Sequence, residues 1–191
     1  MRYRGVVALL ALALCGSGAW ATSPRPGLTK GEAIKAFVDA ANLGCVYSRV
    51  SGAPIDSVPG HIVDDLVPAD ADDRRIVLGP KDRPAWVSKS LGSLLQVFED
   101  KKGACMVVAI QLPVQATLDA EAKMLRDLGG SAYVEKPFKV GDNPIGYEFE
   151  RVVDGDVVTI HMEGAEPGLP MHTARQSLMW VRVTRTAGKA R

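Results

Sequence analysis

The chain has few cysteines, little net charge and only one long apolar run. Its 23 basic and 22 acidic residues nearly cancel, so no global field attracts or repels nucleic acid. The signatures Gly-x-Ser-x-Gly, Ser-x-x-Lys, His-Glu-x-x-His and the P-loop are absent. Beyond the leader, no apolar stretch reaches the roughly 20 residues that a spanning helix needs. The sequence therefore predicts neither a nucleic-acid-binding protein nor an enzyme with a recognisable motif.

The long apolar run belongs to a leader that has the three parts of a secretory signal peptide. Two arginines precede the apolar residues 6–14, and an Ala-Trp-Ala site then ends at Ala21. Small residues at the first and third positions of such a site are what a signal peptidase reads. We therefore expect residues 1–21 to be removed, and the mature protein to begin at Thr22 in the periplasm or outside the cell.

Three cysteines are present, and Cys15 lies inside the leader. Lipidation of Cys15 is the alternative to ordinary cleavage, but the bulky Leu14 before it fits the lipoprotein peptidase poorly. Cys45 and Cys105 then form an even pair in an exported chain, which predicts a disulfide. Closing a loop of about 60 residues would stabilise the fold by about 4 kcal/mol. Two buried free thiols are the alternative.

The mature chain has the length of one domain with its own core, because 191 residues less 21 leave 170. Without the two arginines of the leader it has 21 basic and 22 acidic residues, a formal net charge of −1. Residues 22–28 are expected to form a flexible lead, because they are rich in proline and glycine. Residues 29–186 are expected to form a single α+β domain, and residues 187–191 a basic, frayed tail.

Two amphipathic patterns predict helices. The first begins with a capping box formed by Thr29 and Glu32, and it is expected to end at Gly44. Cys45 then lies at its tail on the buried side. The second covers about 116–128 and carries one apolar stripe. That stripe consists of Leu118, Ala122, Leu125 and Leu128.

Alternating and apolar runs predict strands on both sides of the second helix, and a turn at Asp154-Gly155-Asp156 joins two of them. Because tight turns join neighbours, we expect a mainly antiparallel sheet of about six or seven strands with two helices packed on one face. The strands are expected at 85–88, 94–99, 104–112, 132–140, 145–153, 157–163 and 177–186.

Residues 51–84 are hard to assign, because five prolines interrupt any long element. Residues 62–67 fit a short helix or a short strand, and residues 76–78 fit a short strand. A segment of this composition is a natural place for a binding loop.

A group of soft ligands near the C-terminus suggests copper. His161 and Met162 precede a Gly/Pro-rich loop, Met171 and His172 end it, and thioether and imidazole suit Cu(I). Adjacent residues of a strand point to opposite faces, so either His161 or Met162 should turn away, and we predict no tight site. The three histidines, including His61, are also candidate bases of a motif-less hydrolase, but none adjoins a recognisable nucleophile.

A run of aspartates is a candidate calcium site, with weaker support. Asp70, Asp72 and Asp73 have the spacing of a hard-cation loop. The central glycine is missing, and Arg74 and Arg75 follow at once and would repel the ion. We therefore interpret the run as a solvated acidic loop capped by its own arginines.

Several of these features occur together in one known group. A helix carrying Cys45, then Trp86 within Ala-Trp-Val, then Cys105 within Gly-Ala-Cys-Met-Val resembles a group of small uncharacterised proteobacterial secreted proteins and lipoproteins. The resemblance covers about residues 30–110, and its motifs are structural. It implies the disulfide and the α+β architecture, and it carries no activity that could be transferred.

The sequence as a whole favours a non-enzymatic periplasmic domain that binds another envelope protein or a small ligand, without nucleic acid and without a transmembrane anchor. The favoured surface is the exposed face of the sheet together with loop 51–84. A hydrolase of cell-envelope material with a motif-less site is one alternative, and a periplasmic copper-binding protein is another. The aromatic residues available for core and recognition are Tyr47, Trp86, Tyr133, Tyr147 and Trp180.

Overall fold

A computed structural model describes residues 27–55, 64–129, 132–138, 145–167 and 176–188. Within these ranges, no helix is both long and apolar enough to cross a membrane. Outside them lie the predicted signal peptide, most of the predicted lead, the last three residues of the tail, His61, Met171 and His172.

Eight strands form one antiparallel sheet in the order β1-β2-β3-β4-β8-β7-β6-β5. The prediction of about six or seven strands was therefore too low, although the mainly antiparallel α+β architecture is confirmed. The additional strand is Leu66–Pro68, within residues 51–84, which could not be assigned from the sequence. Three residues are too few to show an alternating pattern. The strands are β1 (Leu66–Pro68), β2 (Ala85–Ser88), β3 (Gly92–Glu99), β4 (Cys105–Ile110), β5 (Val134–Lys136), β6 (Ile145–Val153), β7 (Asp156–Ala165) and β8 (Leu178–Thr186).

The first helical segment is longer than expected. It consists of α1 (Lys30–Asp39), a π-helical stretch (Ala40–Val46) and α2 (Tyr47–Ser51). The capping box is present at its start, with the Glu32 amide 3.2 Å from the Thr29 hydroxyl. The segment does not end at Gly44 but at Gly52, which has a φ of +74°.

Gly44 does not terminate the helix because the residues around it are buried against the sheet. A glycine inside a helix costs roughly 1 kcal/mol, whereas burying one large apolar side chain contributes roughly 1.5–3 kcal/mol. The packing therefore outweighs the local preference.

The two helices that the sequence predicted cover one face of the sheet, which we call the inner face. Helix α4 (Val114–Gly129) is wider than the predicted 116–128. It buries Leu118, Ala122 and Leu125 completely. Leu128 is 67 % exposed, so the prediction that it belongs to the buried stripe was wrong.

The opposite face, which we call the outer face, is half covered by residues 69–84. This segment contains a short helix, α3 (Asp73–Ile76), so the short strand expected at 76–78 is not formed. A second, smaller core lies beneath it. That core consists of Ala69, Val77, Ala85, Val87, Phe98 and Val108.

Cys45 and Cys105 form a disulfide, with 5.4 Å between their Cα atoms, as the sequence predicted. Both cysteines are fully buried. The bond joins the π-helical stretch to β4, one of the two strands in the middle of the sheet.

Candidate functional site

An open concavity lies on the outer face, lined by loop 78–82 and by residues of β3, β4 and β8. It has a volume of about 810 Å³ in its polar part. An adjoining apolar part has about 300 Å³. We call the two parts together the outer-face groove. It is lined by Leu78, Lys81, Asp82, Phe98, Asp100, Lys101, Lys102, Met106, Val108, Leu178, Trp180 and Arg182, with the backbone of Gly79 and Pro80.

Cross-strand pairing explains how the floor of the groove arises. Phe98 of β3 pairs with Met106 of β4, and Met106 pairs with Arg182 of β8. Val108 pairs with Trp180 in the next row. Residues directly opposite each other in an antiparallel pair share a face, so these side chains form one continuous surface.

The wall of the groove is held in place by a buried glutamine. Gln96 is on the outer face of β3, where its side-chain oxygen accepts a hydrogen bond from the Leu78 amide at 2.9 Å. Its nitrogen donates to the carbonyl of Ser93 at 2.8 Å. Gly79 then lies directly on the ring of Phe98, where a Cβ atom would come within 2.5 Å of the ring. The loop is therefore anchored to the sheet from below.

Hydrogen bonds within residues 74–83 also hold the loop in place. Lys81 donates to the carbonyls of Arg74 and Val77 at 2.6 and 2.7 Å, and so caps the end of α3. The Arg74 guanidinium donates to the carbonyl of Arg83 at 2.6 Å. These bonds make the wall a preformed part of the fold, as ligand sites usually are.

The rim of the groove has more basic than acidic groups. Asp100 organises the β3–β4 turn by accepting from the amides of Lys102 and Ala104, and its other oxygen lies 3.2 Å from the Arg182 guanidinium. The ammonium groups of Lys101 and Lys102 form no ion pair with any residue that the structure describes.

Next to the groove, the side chains of Glu148, His161 and Glu163 are hydrogen-bonded in a row on the outer face. His161 of β7 pairs with Arg182 of β8 on one side and with Glu148 of β6 on the other. The two ring nitrogens of His161 lie 3.1 Å from Glu148 and 3.3 Å from Glu163. Phe138 lies beside the imidazole, with 5.5 Å between ring centroids.

The surroundings of His161 favour its charged form. The hydrogen bond with Glu163 is the largest effect and raises the pKa of His161, partial burial opposes it, and the bond with Glu148 adds to the rise. With a carboxylate beside each nitrogen, the charged form of the ring can donate a hydrogen bond at both positions.

A second titratable group is hidden between the helices. Glu121 of α4 is fully buried, and one of its oxygens accepts a hydrogen bond from the Asn42 side chain at 2.8 Å. The other oxygen has no partner among the described residues. Burial raises the pKa of Glu121 to about 8, the bond from Asn42 opposes the rise, and the charge of Asp39 adds to it. Glu121 is therefore protonated at neutral pH.

The four residues of the copper hypothesis do not meet as a set. Met162 is fully buried in the inner core, whereas His161 lies on the outer face. Met171 and His172 lie outside the described residues. The prediction that strand alternation separates His161 from Met162 is confirmed. No group of three or more histidine, cysteine, aspartate or glutamate side chains that could hold a metal ion occurs in the part of the chain that the structure describes.

The acidic run leads into α3, and of its three aspartates Asp73 lies within the helix. Asp70 accepts hydrogen bonds from the amides of Asp72 and Asp73, both at 2.8 Å. Arg75 pairs with Asp72 at 3.3 Å. Asp73 is buried, so the prediction of a wholly solvated acidic loop was wrong at this residue.

Of the aromatic candidates, only Trp180 lines the outer-face groove. Trp86 packs against the inner core, and the Tyr147 hydroxyl donates to Asp119 at 2.5 Å. The Arg151 guanidinium lies 5.2 Å from the ring centre of Tyr133. Tyr47 is exposed on α2.

Sequence reasoning missed Glu121, although a signal was present. Glu121 follows Leu118 by three residues and precedes Leu125 by four, the spacing that places all three on one helix face. It missed Gln96 as well, which lies between the apolar Leu95 and Val97.

No known protein family, curated protein or solved structure matches this chain. The resemblance to proteobacterial secreted proteins and lipoproteins therefore stays a prediction.

Proposed function

We propose that this protein is an exported, non-enzymatic domain that binds a small ligand in the outer-face groove. The observation that carries the proposal is the groove itself, whose polar part has a volume of about 810 Å³, within the range of small-molecule sites. Such sites typically measure about 300–1,000 Å³ and combine an apolar lining with a few polar groups. The groove has this composition.

The construction of the wall supports the same proposal. The hydrogen bonds of Gln96 and Lys81 hold loop 78–82 above the sheet. A preformed site loses little conformational entropy on binding, which favours affinity for a small molecule.

Export is part of the proposal, and it is supported by the leader and by the disulfide. The Cys45–Cys105 bond is of the kind that persists in oxidising compartments. N-terminal sequencing of protein recovered from the periplasm should start at Thr22. A diacylglyceryl group on Cys15 would instead identify a lipoprotein.

Amide chemical shifts of the ¹⁵N-labelled protein, titrated with a library of small soluble compounds, test the binding proposal. We expect shifts that cluster at residues 78–82, 98–108 and 178–182. The Leu78→Asp variant should abolish these shifts, because it places a charge in the apolar wall of the groove. The Leu78 side chain is 47 % exposed, so the fold should tolerate the substitution. Shifts that are absent, or scattered over the inner helices, would contradict the proposal.

An envelope hydrolase is the second candidate, and His161 between Glu148 and Glu163 is the observation in its favour. A protonated histidine beside Arg182 has the chemistry of a general acid with an adjacent anion-stabilising group. Release of product from ester substrates or soluble peptidoglycan fragments should then disappear in His161→Gln. Activity that survives this substitution would exclude His161 as its source.

A further inference from the structure

We infer that the ligand of the outer-face groove is an amphiphile with one apolar chain and an anionic head group. The inference rests on the proposed function, since it names the chemistry of the ligand for the same groove. It follows from the different linings of the two parts of the groove. One part is mainly apolar and the other carries more charged side chains, so the chain and the head group would lie in different surroundings.

The apolar part would receive the chain. Its apolar lining consists of Met106 and Val108 of β4, Leu178 and Trp180 of β8, Phe98 of β3 and Leu78 of the wall. Asp100 and Arg182 also line this part and are shared with the polar part. Its volume of about 300 Å³ is at the small end of the range for ligand sites. Such a space favours a single chain over a bulky or branched apolar group. Burial of apolar surface there favours the complex.

The polar part would receive the head group. Asp100 and Arg182 neutralise each other across 3.2 Å. Of the remaining charged groups that line this part, Lys81, Lys101 and Lys102 are basic and Asp82 is acidic. The local excess of positive charge attracts an anion and repels a cation.

The donors available at the rim agree with the charge. Lys81 uses its ammonium group on backbone carbonyls, so it contributes charge but few free donors. Lys101 and Lys102 are exposed at the tip of the β3–β4 turn and have no ion pair among the described residues. Arg182 lies where the two parts of the groove meet, and a guanidinium has more donors than Asp100 can occupy. An anionic head at this junction would bond to Arg182 and to one of the two lysines.

Isothermal titration calorimetry with decanoate, decyltrimethylammonium and decanol, all below the concentrations at which they aggregate, tests the inference. The three probes share one chain length and differ in the charge of the head. We expect decanoate to bind with 1:1 stoichiometry and to bind about tenfold or more tightly than the cationic probe. Decanol should lie between them.

Two variants and one matched control locate the binding. Lys101→Glu combined with Lys102→Glu should weaken decanoate by about tenfold or more and should reverse the preference for the anion. Leu78→Asp should weaken decanoate and decanol, because it removes the apolar wall and adds a negative charge. Lys89→Glu makes the same kind of charge change in the β2–β3 turn, at the other end of the strands, and should leave the affinities unchanged. Thermal melts verify that each variant is folded.

The outcomes separate the two proposals. If the three probes bind equally and Leu78→Asp abolishes them all, the anion preference is overturned while the groove stands as a binding site. If none of them binds but other compounds produce shifts at the groove, the amphiphile is overturned and the proposed function is retained. Preference for a short acidic peptide over decanoate would point to a protein partner and would also overturn the inference.

Discussion

Replacing Glu121 by glutamine is expected to remove a large part of the pH dependence of stability. Glu121 lies fully buried between α4 and the first helical segment, with one oxygen bonded to Asn42 and the other without a described partner. Glutamine has nearly the same shape and can still accept the bond from Asn42, but it cannot ionise. The substitution therefore isolates the cost of charging a carboxyl group in this position.

The magnitude follows from the pKa. The ordinary pKa is 4.5 and the folded-state pKa is about 8, so the folded protein holds this proton more tightly than the unfolded chain does. Stability from this source is fully present below pH 4.5, is lost as pH rises, and is gone above about pH 8. At 1.36 kcal/mol per pH unit, the total loss is about 5 kcal/mol. For a domain whose stability is about 5–15 kcal/mol, this loss is large.

Urea unfolding of both proteins between pH 4.5 and pH 8.5 provides the assay. The free energy of unfolding of the wild type, less that of Glu121→Gln, should fall by about 1.4 kcal/mol per pH unit over most of this range. A constant offset is expected from the extra buried donor of glutamine, about 1–3 kcal/mol, and it does not affect the slope. Glu135→Gln, at an exposed position of β5, controls for the loss of one glutamate. A difference between wild type and Glu121→Gln that does not vary with pH would refute the reasoning.

Three further predictions concern the disulfide, His161 and copper. Cys45→Ser should lower the free energy of unfolding by roughly 2–5 kcal/mol, measured by urea denaturation, and two free thiols in the unreduced wild type would contradict the bond. The pKa of His161 is raised, so its contribution to the free energy of unfolding is present at low pH and is lost as pH rises through the folded-state pKa. Urea denaturation should show this pH dependence in the wild type and not in His161→Gln. Titration with Cu(I) against a competing chelator should show only weak binding that Met171→Ala and His172→Ala leave unchanged, whereas tight binding lost in both variants would restore the copper hypothesis.

The sequence by itself determined those features that depend on neighbouring residues. The capping box at Thr29 is formed by groups three residues apart, so it could be predicted without any knowledge of the fold. The Asp154-Gly155 turn between β6 and β7 has positive φ at both residues, which is the geometry that this dipeptide favours. The burial of Leu118, Ala122 and Leu125 followed from helical periodicity alone. The disulfide was deduced from an even pair of cysteines in a chain predicted to be exported, rather than from geometry.

Only the tertiary structure decided the features that depend on residues far apart in the chain. The helix continues through Gly44 because burial against the sheet outweighs the glycine, and β1 exists because β2 provides its hydrogen-bonding partner. The outer-face groove needs residues 78–82, β3, β4 and β8 together, and no local pattern indicates that Arg182 and Leu78 lie in one site. The sequence did favour the exposed sheet face with loop 51–84 as the binding surface, but it could not place the wall. Periodicity and capping arise from interactions within a few residues, whereas a concave site is made by long-range packing, whose energies exceed local preferences.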